Sequence, residues 1–194
     1  MVKQILKTVY ELDEVKQKAI EKNFYINVDY PDWCDFIIED WKNKLEKIGF
    51  ENINIYYSGF CSQGDGACFD ADIDVDKIAN YLQSKNLINE DEKNKFIDLQ
   101  DDFYLTIKSS HNCRYCHENS RYTDLDCFYV NNEDDKIFLH NIELMIEELR
   151  VDLCKDIYQD LYNEFYFLVS DDAIYNTLKD FDYLFNEDGT IASF

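Results

Sequence analysis

Three of the chain's five glycines lie in one short segment, which constrains the fold more than any other part of the sequence. The segment, residues 56–71, reads YYSGFCSQGDGACFDA. The residues leading into it, NINIYYSGF, and those leaving it, ACFDADI, alternate as strands do. Gly64 and Gly66 on either side of Asp65 permit positive φ angles, so the backbone can turn sharply there. The sequence therefore predicts two strands joined by a polar, glycine-rich loop.

Helical periodicity accounts for most of the remaining chain. In DWCDFIIEDWKNKLEKIG, residues 32–49, apolar side chains recur at 3.6-residue spacing, and Gly49 is placed to end the helix. VDKIANYLQSKN and NEDEKNKFIDLQ predict two short helices, the first opened by Asp74 or Asp76. From Asp135 onward the pattern predicts one long helix over 135–169 and another over 170–185.

Three further segments have strand character. KQILKTVYEL precedes a predicted helix capped by Asp13, and DFYLTIKSS and DCFYVNN, residues 102–110 and 126–132, complete the set. We predict an α+β fold, a small antiparallel sheet of about four strands packed by helices, with a helical C-terminal part. Residues 1–134 would form the α+β domain, and residues 135–194 a helical extension packed on it as one compact unit.

The glycine-rich loop carries more polar chemistry than a chain reversal needs, so we treat it as a candidate site. Its glycines would expose backbone N–H groups, its polar side chains would contact a ligand, and Asp65 would orient a partner His or Arg. The candidate ligand-binding residues in this loop are Ser58, Ser62, Gln63, Gly64 and Gly66. The alternative is a bulged hairpin whose polar side chains satisfy their own backbone.

A second motif, HNCRYCHENSR at residues 111–121, holds two of the three histidines and two of the three arginines. Arginine presents a bidentate fork to phosphate or carboxylate, and histidine exchanges a proton near neutral pH. The candidate ligand-binding residues here are His111, Arg114, Tyr115 and Arg121, with His117 as general acid or base. The alternative is an internal salt-bridge hub that neutralises nearby carboxylates.

Zinc binding is a further alternative for the second motif. Cys113 and Cys116 form a C-x-x-C pair, and His117, or Cys61 and Cys68, would complete a tetrahedral set. A single C-x-x-C is a weak signal, and the spacing from Cys61 to Cys68 is unlike that of a zinc knuckle. We therefore expect neither a metal nor another cofactor.

The net charge of −22 narrows the classes of partner. Such a field repels nucleic acid and acidic membrane surfaces and attracts basic proteins. The N-terminal sequence becomes charged too early for a signal peptide, and no apolar run approaches the ~18 residues of a membrane span. We expect a cytoplasmic protein that neither binds DNA directly nor enters a membrane.

Together the motifs resemble a family of uncharacterised bacteriophage proteins. The resemblance covers about the first 130 residues. It rests on S-G-F-x-S-Q-G-D-G-A-x-F, matched by Ser58 to Phe69, and on a downstream H-x-x-R-Y-x-H-type segment, matched at Arg114, Tyr115 and His117. Some members are labelled antitoxins of toxin–antitoxin systems. The family pattern does not require cysteine at positions 61, 113 or 116, and the acidic C-terminal helices lie outside it.

Two hypotheses about function follow. In the first, the chain is a phage-encoded acidic protein that binds and inhibits a basic, nucleic-acid-handling or defence protein of the host, as an anti-defence inhibitor or antitoxin-like nucleic-acid mimic. In the second, it is a small nucleotide- or RNA-phosphate-binding protein or enzyme. There Arg114 would clamp a phosphate, His117 would act as general acid or base, and Gln63 and Asp65 would position the substrate. The second hypothesis requires the two motifs to lie together.

Overall fold

The computed structural model describes residues 9–109 and 116–192. Within these ranges the chain forms four strands in one antiparallel sheet and six α-helices, which confirms the predicted α+β class. The strands are β1 (Phe50–Ser58), β2 (Gly66–Ile73), β3 (Phe103–Ser109) and β4 (Arg121–Cys127). The helices are α1 (Lys16–Lys22), α2 (Asp35–Ile48), α3 (Val75–Ser84), α4 (Glu90–Asp98), α5 (Glu133–Leu168) and α6 (Asp171–Asp180).

The sheet is a meander in which each strand pairs with the next along the chain. β1 and β2 pair as far as Ser58 opposite Gly66, and β3 and β4 pair along their whole length. β2 and β3 pair only at Ala71 with Ile107 and at Asp72 with Thr106. The short 3₁₀ turn Glu118–Ser120, just before β4, contacts β2. This is how the second motif reaches the glycine-rich loop.

Strand alternation gives the sheet an apolar face and a polar face. On the apolar face Phe50 and Phe69 contact edge to face with ring centroids 5.2 Å apart. Phe103 of β3 stacks on Phe96 of α4 at 5.5 Å, so α4 packs on this face. α5 packs there as well, because Glu147 accepts hydrogen bonds from Thr123 of β4.

Local sequence explains where the central helices begin and end. α2 ends at Gly49, whose φ of +124° and contact with the backbone of Ile78 exclude a side chain, as predicted. Asp74 caps α3 by accepting the N–H of Lys77 at 3.0 Å. Asn89 and Glu92 form a capping box at the start of α4.

The chain divides into two compact units, residues 36–160 and residues 1–35 with 161–194. The first holds the sheet and both motifs, and the boundary expected after residue 134 falls inside it. In the second, α1 and α6 share a core with Phe185, which bridges Tyr10 and Ile191. Among the described residues, no helix has the length and apolar character needed to cross a membrane.

Two elements lie at positions other than those predicted from the sequence. The last strand was expected at 126–132 but forms at 121–127, because Thr123 and Leu125 pair with β3 while Phe128 and Tyr129 are exposed. The first helix begins at Lys16, not Asp13, because a 3₁₀ turn over Leu12–Glu14 precedes it. Most of the strand expected at residues 3–12 lies outside the described residues.

Candidate functional site

The β1–β2 loop, residues 59–65, is braced from within by Asp65. Its carboxylate accepts the backbone N–H groups of Cys61 at 2.7 Å and Ser62 at 2.5 Å. A Cβ on Gly59, whose φ is +47°, would lie 2.5 Å from that carboxylate. The carboxylate of Asp65, a catalytic candidate in the second hypothesis, therefore binds the backbone of its own loop.

The two motifs meet where this loop enters the strands. The Ser58 hydroxyl donates to the carbonyl oxygen of Cys116 at 3.1 Å and accepts its N–H at 3.3 Å. A Cβ on Gly66 would lie 2.6 Å from Cβ of His117, so only glycine permits this approach. Gly64 takes the predicted positive φ, +105°. The prediction of a positive φ at Gly66 was wrong, since this residue begins β2 and its lack of a side chain serves packing.

His117 caps the 3₁₀ turn before β4. Its Nδ1 accepts the N–H of Asn119 at 3.1 Å, so a neutral imidazole carries its proton on Nε2. The buried Ser120 donates its hydroxyl to the His117 carbonyl oxygen at 2.7 Å and accepts the His117 N–H. These bonds hold the described end of the second motif in one conformation.

Arg121 is neutralised by a neighbouring carboxylate. Its Nε donates to Asp70, its Nη1 donates to the carbonyl oxygen of Ser120 at 3.2 Å, and the guanidinium lies 5.0 Å from the ring centroid of Tyr56. Burial, followed by the Asp70 carboxylate, raises the pKa of Tyr56, which Arg121 partly opposes. The described part of this motif therefore has the salt-bridged character of the alternative interpretation.

Several predicted residues fall outside this geometry. Ser62 and Gln63 are exposed on the loop and face solvent. His111, Arg114, Tyr115 and Cys113 lie outside the described residues. Within residues 9–109 and 116–192, no group of three or more His, Cys, Asp or Glu side chains is arranged to hold a metal ion.

A buried hydrogen-bond network behind the second motif was not predicted from the sequence. Arg150 of α5 is 1% exposed and donates from Nε and Nη2 to both carboxylate oxygens of Glu147, at 2.9 and 2.6 Å. Its Nη1 donates to the carbonyl oxygen of Glu118 at 2.6 Å. The signal was present, because Arg150 follows Ile146 by four residues and precedes Leu153 by three on the apolar stripe.

The polar face of the sheet forms a second candidate surface. We define the outer sheet face by Tyr56, Asp70, Asp72, Tyr104, Lys108, Tyr122, Asp124 and Asp126. Thr106 pairs with Asp72 on one side and with Asp124 on the other, so the Cα atoms of the two aspartates lie two strand spacings, about 9.6 Å, apart. Asp124 and Asp126 stand about 6.8 Å apart along β4.

Hydrogen bonds fix the orientation of side chains on the outer sheet face. Asp72 accepts from the hydroxyl of Tyr104 at 3.1 Å and from Nδ2 of Asn52 at 2.6 Å. The bond to Asp72 also raises the pKa of Tyr104, which is 54% exposed. Lys108 forms a salt bridge with Asp124. The face therefore presents ordered carboxylates and exposed tyrosine rings.

Comparison with known proteins identifies the family of the chain. A family model described as "Domain of unknown function (DUF8835)" matches residues 33–171, well over half of the 194-residue chain. No curated protein and no solved structure is significantly similar to the chain.

Proposed function

The chain belongs to the DUF8835 family, a domain of unknown function, and we propose that it is an acidic inhibitor of a nucleic-acid-handling protein. It would act in the host cytosol as a phage product, docking the outer sheet face on a basic surface that otherwise holds a phosphate backbone. This binding requires neither a metal nor a cofactor.

The observation that carries the proposal is the arrangement of charge on the outer sheet face. Lys108, the one cation among the residues that define this face, is paired with Asp124, and Arg121, whose guanidinium lies over the Tyr56 ring, is paired with Asp70. Within the described ranges, Asp72 and Asp126 form no salt bridge. Two carboxylates without a salt-bridge partner among the described residues thus stand on the sheet of a protein whose net charge is −22.

The tyrosines make this face suitable for a protein partner. Tyr56 and Tyr104 are 39% and 54% exposed, so each offers ring area and a polar hydroxyl. Tyrosine is enriched at protein interfaces because its large, rigid ring buries area with little loss of entropy. A face of carboxylates and tyrosines matches a basic groove that accommodates phosphates and stacks bases.

The charge also determines how binding should respond to salt. Complementary charge accelerates encounter between the two proteins and suppresses unsuitable partners. Added salt screens this attraction, since the Debye length falls from ~10 Å at 0.1 M to ~3 Å at 1 M. A complex of this kind should form at low salt and dissociate as the salt concentration rises.

The test is capture from a nuclease-treated extract of the natural host. We expect the immobilised protein to retain a basic protein that added double-stranded DNA or RNA displaces at constant salt. Asp72→Asn/Asp126→Asn should lower retention at least tenfold, while Asp29→Asn/Asp180→Asn, with the same loss of charge at exposed positions, should leave it unchanged. Equal retention by both variants, or retention that nucleic acid does not affect, would refute the proposal.

One observation favours the second candidate function, a nucleotide- or RNA-phosphate-binding site. The contacts of Ser58 with Cys116 and of Gly66 with His117 bring the motifs together, as that hypothesis requires. Titration of the protein with inorganic phosphate, ATP and a 5′-phosphorylated RNA, followed by NMR, tests it. Shift changes confined to the loop 59–65 and to His117, and lost in His117→Ala, would support this function. Unchanged spectra would remove it.

A further inference from the structure

A groove between α4 and α5 lies apart from both motifs and from the outer sheet face. It has a volume of about 300 Å³. Ile88, Phe138, Leu144 and Met145 contribute its apolar lining, and Glu92 and Glu148 contribute carboxylates. Its helical walls and apolar lining resemble the grooves in which proteins bind partner helices.

Apolar side chains at this groove remain exposed to water. Leu144 is 49% exposed, and Ile137, about two helical turns earlier on the same helix face, is 55% exposed. The two positions are seven residues apart, which corresponds to about 10.5 Å along the helix axis. Leu87, beside the groove residue Ile88, is 49% exposed as well. Exposed apolar side chains clustered at and beside a groove mark an interaction site.

The charge of the lining residues indicates what kind of partner would bind in the groove. The groove is lined by two carboxylates and by no basic side chain among the described residues. Both lysines of α4 are paired elsewhere. Lys95, whose Nζ lies 4.8 Å from the ring centroid of the groove residue Phe138, forms a salt bridge with Asp135. Lys93 contacts Gln83 and Glu90. An apolar segment flanked by lysine or arginine would therefore gain both apolar burial and favourable charge contacts.

We propose that the groove between α4 and α5 binds a basic amphipathic helix of the partner protein. Apolar residues at positions i, i+3 or i+4, and i+7 of that helix would contact the apolar lining of the groove and the exposed side chains of Leu144 and Ile137. Its basic flanks would face Glu92 and Glu148. The inference rests on the proposed function only in taking the partner to be a basic protein.

The test uses a fluorescent 18-residue peptide with leucine at helical spacing and lysine on the flanks, beside a scrambled peptide of the same composition. We expect the helical peptide to bind at least tenfold more tightly than the scrambled one by fluorescence anisotropy. Leu144→Lys should weaken binding at least tenfold. Phe36→Lys, the same change at an apolar residue that is 85% exposed on α2, should weaken it less than twofold.

A second measurement places the peptide on the protein. NMR methyl shifts should change at Ile88, Leu144 and Met145 of the wild-type protein. Equal loss of affinity in Leu144→Lys and Phe36→Lys, or no preference for the helical peptide, would overturn the inference. Either result would leave the proposed function intact, because that function is tested separately by Asp72→Asn/Asp126→Asn and displacement by nucleic acid.

Discussion

The most informative structural prediction concerns the buried charge of Arg150. Glu147 is its only carboxylate partner among the described residues, and the pair also connects Thr123 of β4 to the Glu118 carbonyl oxygen. Glu147→Gln keeps the shape of the side chain and removes its charge. Arg150, 1% exposed, would then hold an uncompensated charge in the core behind the second motif.

The magnitude follows from the burial of the two partners. Removing one partner of a buried ion pair costs ~3–5 kcal/mol. The Glu147 side chain is 34% exposed, so water relieves part of the penalty and we take the lower end, ~3 kcal/mol. Arg150→Met added to Glu147→Gln removes the stranded charge but leaves the Glu118 carbonyl oxygen without its donor, a loss of ~1–3 kcal/mol. The double variant should therefore be more stable than Glu147→Gln alone.

Urea unfolding followed by tryptophan fluorescence and far-UV circular dichroism measures both effects. With a slope of ~2 kcal/mol/M, a loss of ~3 kcal/mol lowers the midpoint by ~1.5 M. Asp152→Asn, which breaks an exposed salt bridge with Lys155 on the same helix, is the control and should change stability by less than ~0.5 kcal/mol. A midpoint shift for Glu147→Gln no larger than that of this control, or a double variant less stable than Glu147→Gln alone, would refute the reasoning.

We make three further predictions, which concern Gly66, two cysteines and the pH dependence of Glu147. Gly66→Ala should lower the free energy of unfolding in urea by ~1–3 kcal/mol, because the added Cβ would overlap His117. Unfolding at the wild-type midpoint would contradict this close approach. A thiol reagent at pH 8 should label the exposed Cys61 within minutes and Cys154 only after unfolding, because burial raises the pKa of Cys154 to about 12; mass spectrometry of the labelled peptides measures both rates. Burial alone would raise the pKa of Glu147, but the hydrogen bonds from Arg150 outweigh burial and lower this pKa. The ionised Glu147 carboxylate therefore contributes its full stabilisation above ~pH 5, and this contribution is lost as the pH falls through the folded-state pKa. The difference in stability between wild type and Glu147→Gln should thus shrink below pH 4, and a constant difference would contradict that assignment.

Local patterns in the sequence were enough to predict much of the fold. The alternation around the glycine-rich loop predicted β1 and β2, and Gly49 ended α2 as expected because its φ of +124° strongly favours glycine. The cap of α3 was narrowed to Asp74 or Asp76, and Asp74 forms it, because capping depends on residues within one turn. Each of these features is determined by neighbours close in the chain.

Features that depend on distant residues were missed or displaced. The pairing of β4 with β3 fixes its position at 121–127, and no local pattern showed that Thr123 and Leu125, not Phe128, would face the core. The reason for glycine at Gly66 is its contact with His117, 51 residues later in the chain. The use of the Asp65 carboxylate by its own loop likewise became visible only in the folded structure.

The most direct test of the proposed inhibitory function is native mass spectrometry of the tagged protein, purified gently from its natural host. We expect an added basic protein that is lost at high salt and absent from Asp72→Asn/Asp126→Asn. Retention of that protein by the variant, or an added mass of a few hundred daltons that His117→Ala abolishes, would contradict the inhibitory function. The second result would favour a phosphate-bearing ligand where the two motifs meet.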